Sequence, residues 1–156
     1  MRHLLCYRGI KRSPALYHGV AEALTFHNGI GSARKEARLR YLTHYWADRL
    51  GKLPTIKFNT ALAPNLSCAL ANVALADVNM SGLGEYLTKE HQIHTATSGR
   101  QGLRGLRVSP NIYTTLQELD YFCDVIEDVA KNGLSEPYKS FQPRGGGQGQ
   151  QQQSPG

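Results

Sequence analysis

The chain has 156 residues, 40% apolar and 19% charged, and a formal charge of +6. That length suits one modest hydrophobic core, and no apolar run reaches the roughly 18 residues a membrane-spanning helix needs. Met1 to Tyr7 hold only Leu4 and Leu5 as strong apolar side chains, too few for a secretion signal.

Cys6, Cys68 and Cys123 are odd in number, widely spaced and without a CxxC pair. They suggest neither a disulfide framework nor a zinc site, and reduced thiols agree with a cytoplasmic address. The basic excess is concentrated early. Residues 1–52 carry ten Lys or Arg against three acids, whereas residues 111–156 carry three against six. Such asymmetry fits a nucleic-acid footprint, a surface built against an acidic partner domain, or a solvated helix face.

In chain order, Ser13 and Pro14 open a helix to about Asn28, with Leu16, Val20, Ala23, Leu24 and His27 on one face and Gly29 and Gly31 as its stop. Ser32 opens a second helix to about Leu50, with Leu39, Leu42, Tyr45, Trp46 and Leu50 as its apolar stripe. Arg34, Lys35, Arg38 and Arg40 crowd its first turns against the helix dipole, where Glu36 and Arg40 form an i,i+4 pair.

The period then changes. Thr55–Thr60 alternates as a strand, and Pro64 and Asn65 make a turn. Leu66–Leu75, a small-residue and largely apolar run, reads as a buried strand. Ser81–His91 is a short helix, Gln92–Thr97 a strand, Ser98–Gly105 a basic loop with Arg100 and Arg104, and Leu106–Ser109 a strand that Pro110 ends. Thr115-Leu116-Gln117-Glu118 is a capping box opening a helix with Leu119, Phe122, Cys123, Ile126 and Val129 inward and Gly133 at its close. Beyond Pro137 periodicity is lost. The Gly/Gln-rich run from Arg144 cannot bury enough apolar surface to order itself and is assigned no chemistry.

Two stretches are distinctive. One runs Ala23-Leu24-Thr25-Phe26-His27-Asn28-Gly29-Ile30-Gly31, through Arg34-Lys35-Glu36 and Arg40-Tyr41-Leu42 to Tyr45-Trp46. The other runs Gly105-Leu106-Arg107-Val108-Ser109-Pro110-Asn111-Ile112-Tyr113-Thr114-Thr115, then Glu118-Leu119-Asp120. Both resemble the C-terminal portion of class V aminotransferase-fold enzymes, the group that includes isopenicillin N epimerase-like proteins and cysteine desulfurases. Ser67-Cys68-Ala69 and Ile93-His94-Thr95 fall between them in matching order, and the resemblance covers about Tyr7 to Ala130.

The resemblance implies an α/β fold, a small mixed sheet with helices packed on it, preceded by two helices, as in the C-terminal domain of fold type I pyridoxal-phosphate enzymes. Its implied divisions are a helical segment over 1–52 continuing from a large domain, a small α/β domain over 53–136, and a disordered tail over 137–156. It also implies that Arg107 binds a substrate α-carboxylate, with Tyr113 lining the same pocket. A guanidinium suits that role because it grips a carboxylate with two parallel hydrogen bonds. The alternative for Arg107 is a structural pair with an acid such as Asp120.

Gly9 and Ile10 stand where relatives carry Gly-Thr, a segment that reaches the phosphate of pyridoxal 5'-phosphate in a neighbouring subunit. Ile10 has no hydroxyl to offer, so either the phosphate is held by backbone N–H groups alone or the function has decayed; Lys11 and Arg12 offer charge to a phosphate or are a flexible exposed pair. Arg104 could assist Arg107. His91 and His94 come without a third ligand, so no metal site is expected.

None of Lys11, Lys35, Lys52, Lys57, Lys89, Lys131 or Lys139 corresponds to the family's cofactor-bearing lysine, which belongs to the large domain. The expected partner is therefore a large-domain chain that binds pyridoxal 5'-phosphate, or a homologous subunit. The expected substrate is an amino acid, and no turnover is expected from this chain alone. A truncated gene, half of a split enzyme and a retained non-catalytic protein all fit. No cysteine lies between Cys68 and Cys123, which argues against desulfuration and for aminotransferase or epimerase-like chemistry. Unpartnered apolar surface is expected around Phe26, Tyr45 and Trp46. The rival classes are a basic nucleic-acid-binding module, which lacks an accompanying motif, and a non-catalytic interaction module.

Overall fold

Pro14 opens the first helix with its φ already set and no N–H to satisfy. The structure, a computed structural model, describes residues 14–63, 66–98 and 104–143. Its elements are α1 (Pro14–Ile30), α2 (Ser32–Leu50), β1 (Ile56–Phe58), β2 (Ala71–Leu75), α3 (Met80–His91), β3 (Ala96–Ser98), β4 (Gly105–Val108) and α4 (Leu116–Asn132). The chain falls into two units, divided between Ala37 and Arg38.

In the first unit, α1 and the start of α2 are separated by Gly31, whose φ of 86° lies in the left-handed region that favours glycine. The stripe on α1 does not find a core. Val20, Leu24 and Phe26 are more than half exposed.

The second unit holds the core. Strands order as β1-β2-β4-β3, and every pairing is antiparallel. The expected mixed sheet is thus corrected: each strand runs opposite to its neighbour. Helices pack on one face only. Residues opposite one another in such a ladder share a face, so Phe58, Val73 and Leu106 form one row under the helices. Leu42, Trp46 and Leu50 of α2, Leu83 and Leu87 of α3, and Phe122, Cys123 and Ile126 of α4 complete the same buried cluster.

Trp46 sits at its centre. Its ring lies 5.7 Å from Phe58 and 5.8 Å, edge to face, from Phe122. The expectation of bare apolar surface therefore fails at Trp46, which is fully buried. It holds at Phe26, 61% exposed, while Tyr45 is half-buried. Because α2 donates these side chains, its second half belongs with the sheet and not with a separate helical segment ending at residue 52.

Arg49 ties α2 to α4. Its Nε donates to Glu127 at 2.7 Å, one terminal nitrogen to Asp124 at 2.5 Å, and another lies 3.6 Å from Asp120. The hydrogen bonds to Glu127 and then Asp124 hold the Arg49 pKa above its usual value.

β2 is shorter than the predicted Leu66–Leu75 run and is buried on one face only. Ala71, Val73 and Leu75 point inward, and Asn72 and Ala74 are half-buried on the other side. Residues 137–143, grouped with the tail on composition, pack against α3. The Asn79 side chain caps α3, accepting from the Ser81 and Gly82 N–H groups, while its amide nitrogen donates to the carbonyls of Lys139 and Phe141. Tyr138 donates its hydroxyl to Glu90, and this hydrogen bond pushes the phenol pKa up to about 12. The Gly/Gln run from Arg144 lies outside the described residues.

Candidate functional site

Arg107 occupies the third position of β4, where neighbours are buried and it alone faces out. The alternation follows from strand geometry: Leu106 and Val108 go to the core, so residue 107 must project from the opposite face. Across the sheet, Arg107 lies opposite Asn72 on β2 and Ala96 on β3. No strand contains an Asp or Glu. Among the described residues, the Arg107 side chain has no ion-pair or hydrogen-bond partner. The guanidinium is thus exposed to solvent on this face.

The structural alternative named Asp120 as its partner. Asp120 is engaged elsewhere: the Tyr45 hydroxyl donates to both its oxygens, at 2.9 and 3.1 Å, and Arg49 stands beside it. The hydrogen bond to Asp120 also raises the Tyr45 pKa.

Between β4 and α4 the motif folds into a locked turn. The Asn111 carboxamide oxygen accepts from the Ile112 N–H, the Thr114 hydroxyl accepts from the Asn111 N–H, and Arg38 donates to the Thr114 carbonyl at 3.1 Å. Thr115 and Glu118 then form the complete capping box. The Thr115 N–H donates to the Glu118 carboxylate at 2.7 Å and holds its pKa below the usual range. Tyr113 projects from this turn and is 79% exposed. It is available to a second surface, but the described residues do not join it to Arg107 in one pocket.

The remaining candidates separate. Gly9 and Ile10 lie outside the described residues, as do Cys6 and Lys11. Arg104 is exposed at the entry to β4, where its carbonyl accepts from Asn59 at 3.1 Å. The His91 ring is hydrogen-bonded to the Tyr121 hydroxyl at 2.8 Å. No metal-binding group of side chains occurs among the described residues. Burial pushes the Cys123 thiol up to about 12, which makes it an inert core side chain. Two of the early cations are consumed within the fold: Arg38 on Thr114 and Arg40 on the Ser67 carbonyl.

Holding pyridoxal phosphate requires an enclosed lysine amine. Lys52, Lys57, Lys89, Lys131 and Lys139 are exposed, and Lys35 lies beside His27 on the surface. The described residues do not form that cofactor's site.

Reading Leu66–Leu75 as a buried strand hides the polar neighbours of Arg107. The available signal was Asn72, a lone carboxamide between apolar residues at strand period.

This four-stranded antiparallel sheet, helix-covered on one face, is an α/β fold that matches the C-terminal part of fold type I pyridoxal-phosphate enzymes. The solved structures similar to it include a cysteine desulfurase from Thermococcus onnurineus NA1, with 19% identity and a TM-score of 0.65 over 72% of this chain and 30% of that one. An alanine–glyoxylate aminotransferase from Nostoc sp. has 21% identity and a TM-score of 0.60 over 73% and 30%. A mutant cystine C–S lyase with glycine covalently linked to its pyridoxal-phosphate cofactor has 18% identity and a TM-score of 0.61 over 72% and 28%. The chain thus spans about 30% of the length of these solved chains. Neither a protein-family model nor a curated protein sequence matches it. Among the described residues no helix is long and apolar enough to cross a membrane.

Proposed function

We propose that this chain supplies the substrate-clamping C-terminal part of a pyridoxal-phosphate-dependent enzyme acting on amino acids. Arg107 binds the α-carboxylate, and another stretch of polypeptide, continuous or separate, supplies the cofactor-bearing lysine. The observation that carries this reading is the placement of Arg107: outward on a sheet face without acids, one turn before a capped helix. When bound, the cofactor supplies the electron sink for chemistry at the substrate's α-carbon. The part of this chain is to orient the carboxylate. A planar, permanently charged donor grips that group with two parallel hydrogen bonds, which a lysine ammonium does not.

The absence of cysteine between Cys68 and Cys123 favours transamination or epimerase-like chemistry over desulfuration. Tyr113 is proposed to meet the same substrate once the opposing wall is present, and Gly9 and Ile10 to approach the cofactor phosphate through backbone N–H groups. Cys68 and Cys123, unpaired among the described residues, agree with a cytoplasmic setting.

Combining the chain with the polypeptide that bears the lysine should restore the visible absorbance of bound cofactor and amino-acid turnover. Arg107→Ala in that assembly should raise KM for the amino acid roughly 100-fold, the scale of a hydrogen-bonded charge pair, and leave cofactor absorbance intact. Equal loss of both would remove Arg107 from the clamp.

A further inference from the structure

The face that carries Arg107 holds a row of polar side chains with a defined hydrogen-bond direction. The Asn59 N–H donates to the Asn72 carbonyl at 2.8 Å, which extends the β1–β2 ladder by one residue. Asn59, Asn72, Arg107 and Ala96 therefore stand side by side across all four strands. The Asn72 backbone is pinned from its other side as well, its N–H donating to the Thr60 hydroxyl at 3.0 Å.

The direction of the amides follows from one carbonyl. The Asn59 side-chain nitrogen donates to the Arg104 carbonyl at 3.1 Å, and a carbonyl can only accept. The same nitrogen donates to Asn72 Oδ1 at 2.7 Å. With its oxygen committed to Asn59, Asn72 must turn its NH2 group away from Asn59. That NH2 group has no acceptor among the described residues. Gly105 makes room for this arrangement: a Cβ there would fall 2.1 Å from Asn72 Oδ1.

Cross-strand neighbours on one face hold their Cβ atoms about 4.5–5.5 Å apart, close enough for one carboxylate to bridge an amide N–H and a guanidinium. We infer that Asn72 is a second carboxylate donor beside Arg107, with Asn59 as the positioning residue that keeps its NH2 group presented. This rests on the reading of Arg107 given above and adds to it. A carboxylate held by Arg107 alone can rotate within the fork's plane of approach, and a third N–H from Asn72 selects one orientation. Ala96, on the far side of Arg107, has no polar group to compete for the carboxylate.

The test is a nuclear magnetic resonance titration of the full chain with L-alanine, following the Asn72 side-chain NH2 and the Arg107 Nε–H signals, with L-alaninamide as the control lacking a carboxylate. Both signals should move together with one saturation curve for L-alanine and stay still for L-alaninamide. Asn72→Ala should weaken binding roughly tenfold, the low end for a hydrogen bond to a charged group, with Arg107 still responding. Asn59→Ala should weaken it less, and Asn72→Asp should abolish it.

If Arg107 responds while the Asn72 NH2 group does not, and Asn72→Ala binds as the parent does, the inference is overturned and the clamp role of Arg107 stands. If neither signal moves, both fail. An equal response to L-alaninamide overturns carboxylate recognition by the row. The parent titration needs no variant, so a substitution that fails to fold cannot shelter the proposal.

Discussion

Arg107 and Trp46 mark the two extremes of what one side chain does here. An exposed guanidinium without a partner contributes little to folding, so Arg107→Ala should leave the unfolding free energy within about 0.5 kcal/mol of the parent. Trp46 is sealed between Phe58 and Phe122, and Trp46→Ala should cost about 3–5 kcal/mol, transfer and cavity terms together. Denaturant midpoints at unchanged slope would check both. A large loss of stability in Arg107→Ala would show that the residue is structural after all. Gly105 belongs to the same comparison. A methyl group there would meet both the Asn72 carboxamide and the Val73 carbonyl, 2.9 Å away, so Gly105→Ala should displace the Asn72 NH2 signal and lower stability. Unperturbed Asn72 resonances would contradict the packing described.

At the level of elements, the strongest local device is the start of α4. The Thr115 side chain accepts from the Glu118 N–H while the Glu118 carboxylate accepts from the Thr115 N–H. Thr115→Ala should cost about 1 kcal/mol, as capping substitutions do. The folded state depresses the Glu118 pKa. Its contribution is therefore fully present above the ordinary glutamate value, roughly 4.3, and is lost as pH falls through the lower folded value. Glu118→Gln should flatten that acid limb in a stability–pH profile, and an unchanged limb would remove Glu118 as its source. A second device joins α3 to residues 137–143. A Cβ at Gly82 would fall 1.9 Å from the Tyr138 carbonyl, a backbone atom that cannot swing aside. Gly82→Ala should detach the segment, which would be read as faster amide exchange at Tyr138 and Lys139.

For the molecule as a whole, the division at Arg38 has a direct consequence. The sheet, α3, α4 and the second half of α2 share one buried cluster within the second unit. A chain beginning at Gly31 should unfold in one cooperative transition with the fluorescence of its single tryptophan unchanged. Loss of that transition would mean α1 is needed for the core. Val20, Leu24 and Phe26 are exposed, and the proposed role of one part of a larger enzyme would give them another polypeptide's surface to meet.

Much of the architecture was legible because it is written in local periodicity. The reach of α2 from Ser32 to Leu50, the Thr115 cap, the inward face of α4 and the outward phase of Arg107 each follow from residues a few positions apart. Three matters required the tertiary structure. An apolar stripe states that a helix wants a partner, not whether one is present, so α1 and α2 look alike in sequence while only α2 is covered. Composition grouped residues 137–143 with the tail, yet Asn79 holds them through backbone carbonyls, groups every residue has. The polar row depends on register between strands far apart in sequence. No local pattern encodes which residue of β2 stands opposite Arg107, because that is decided by packing of the opposite face against the helices.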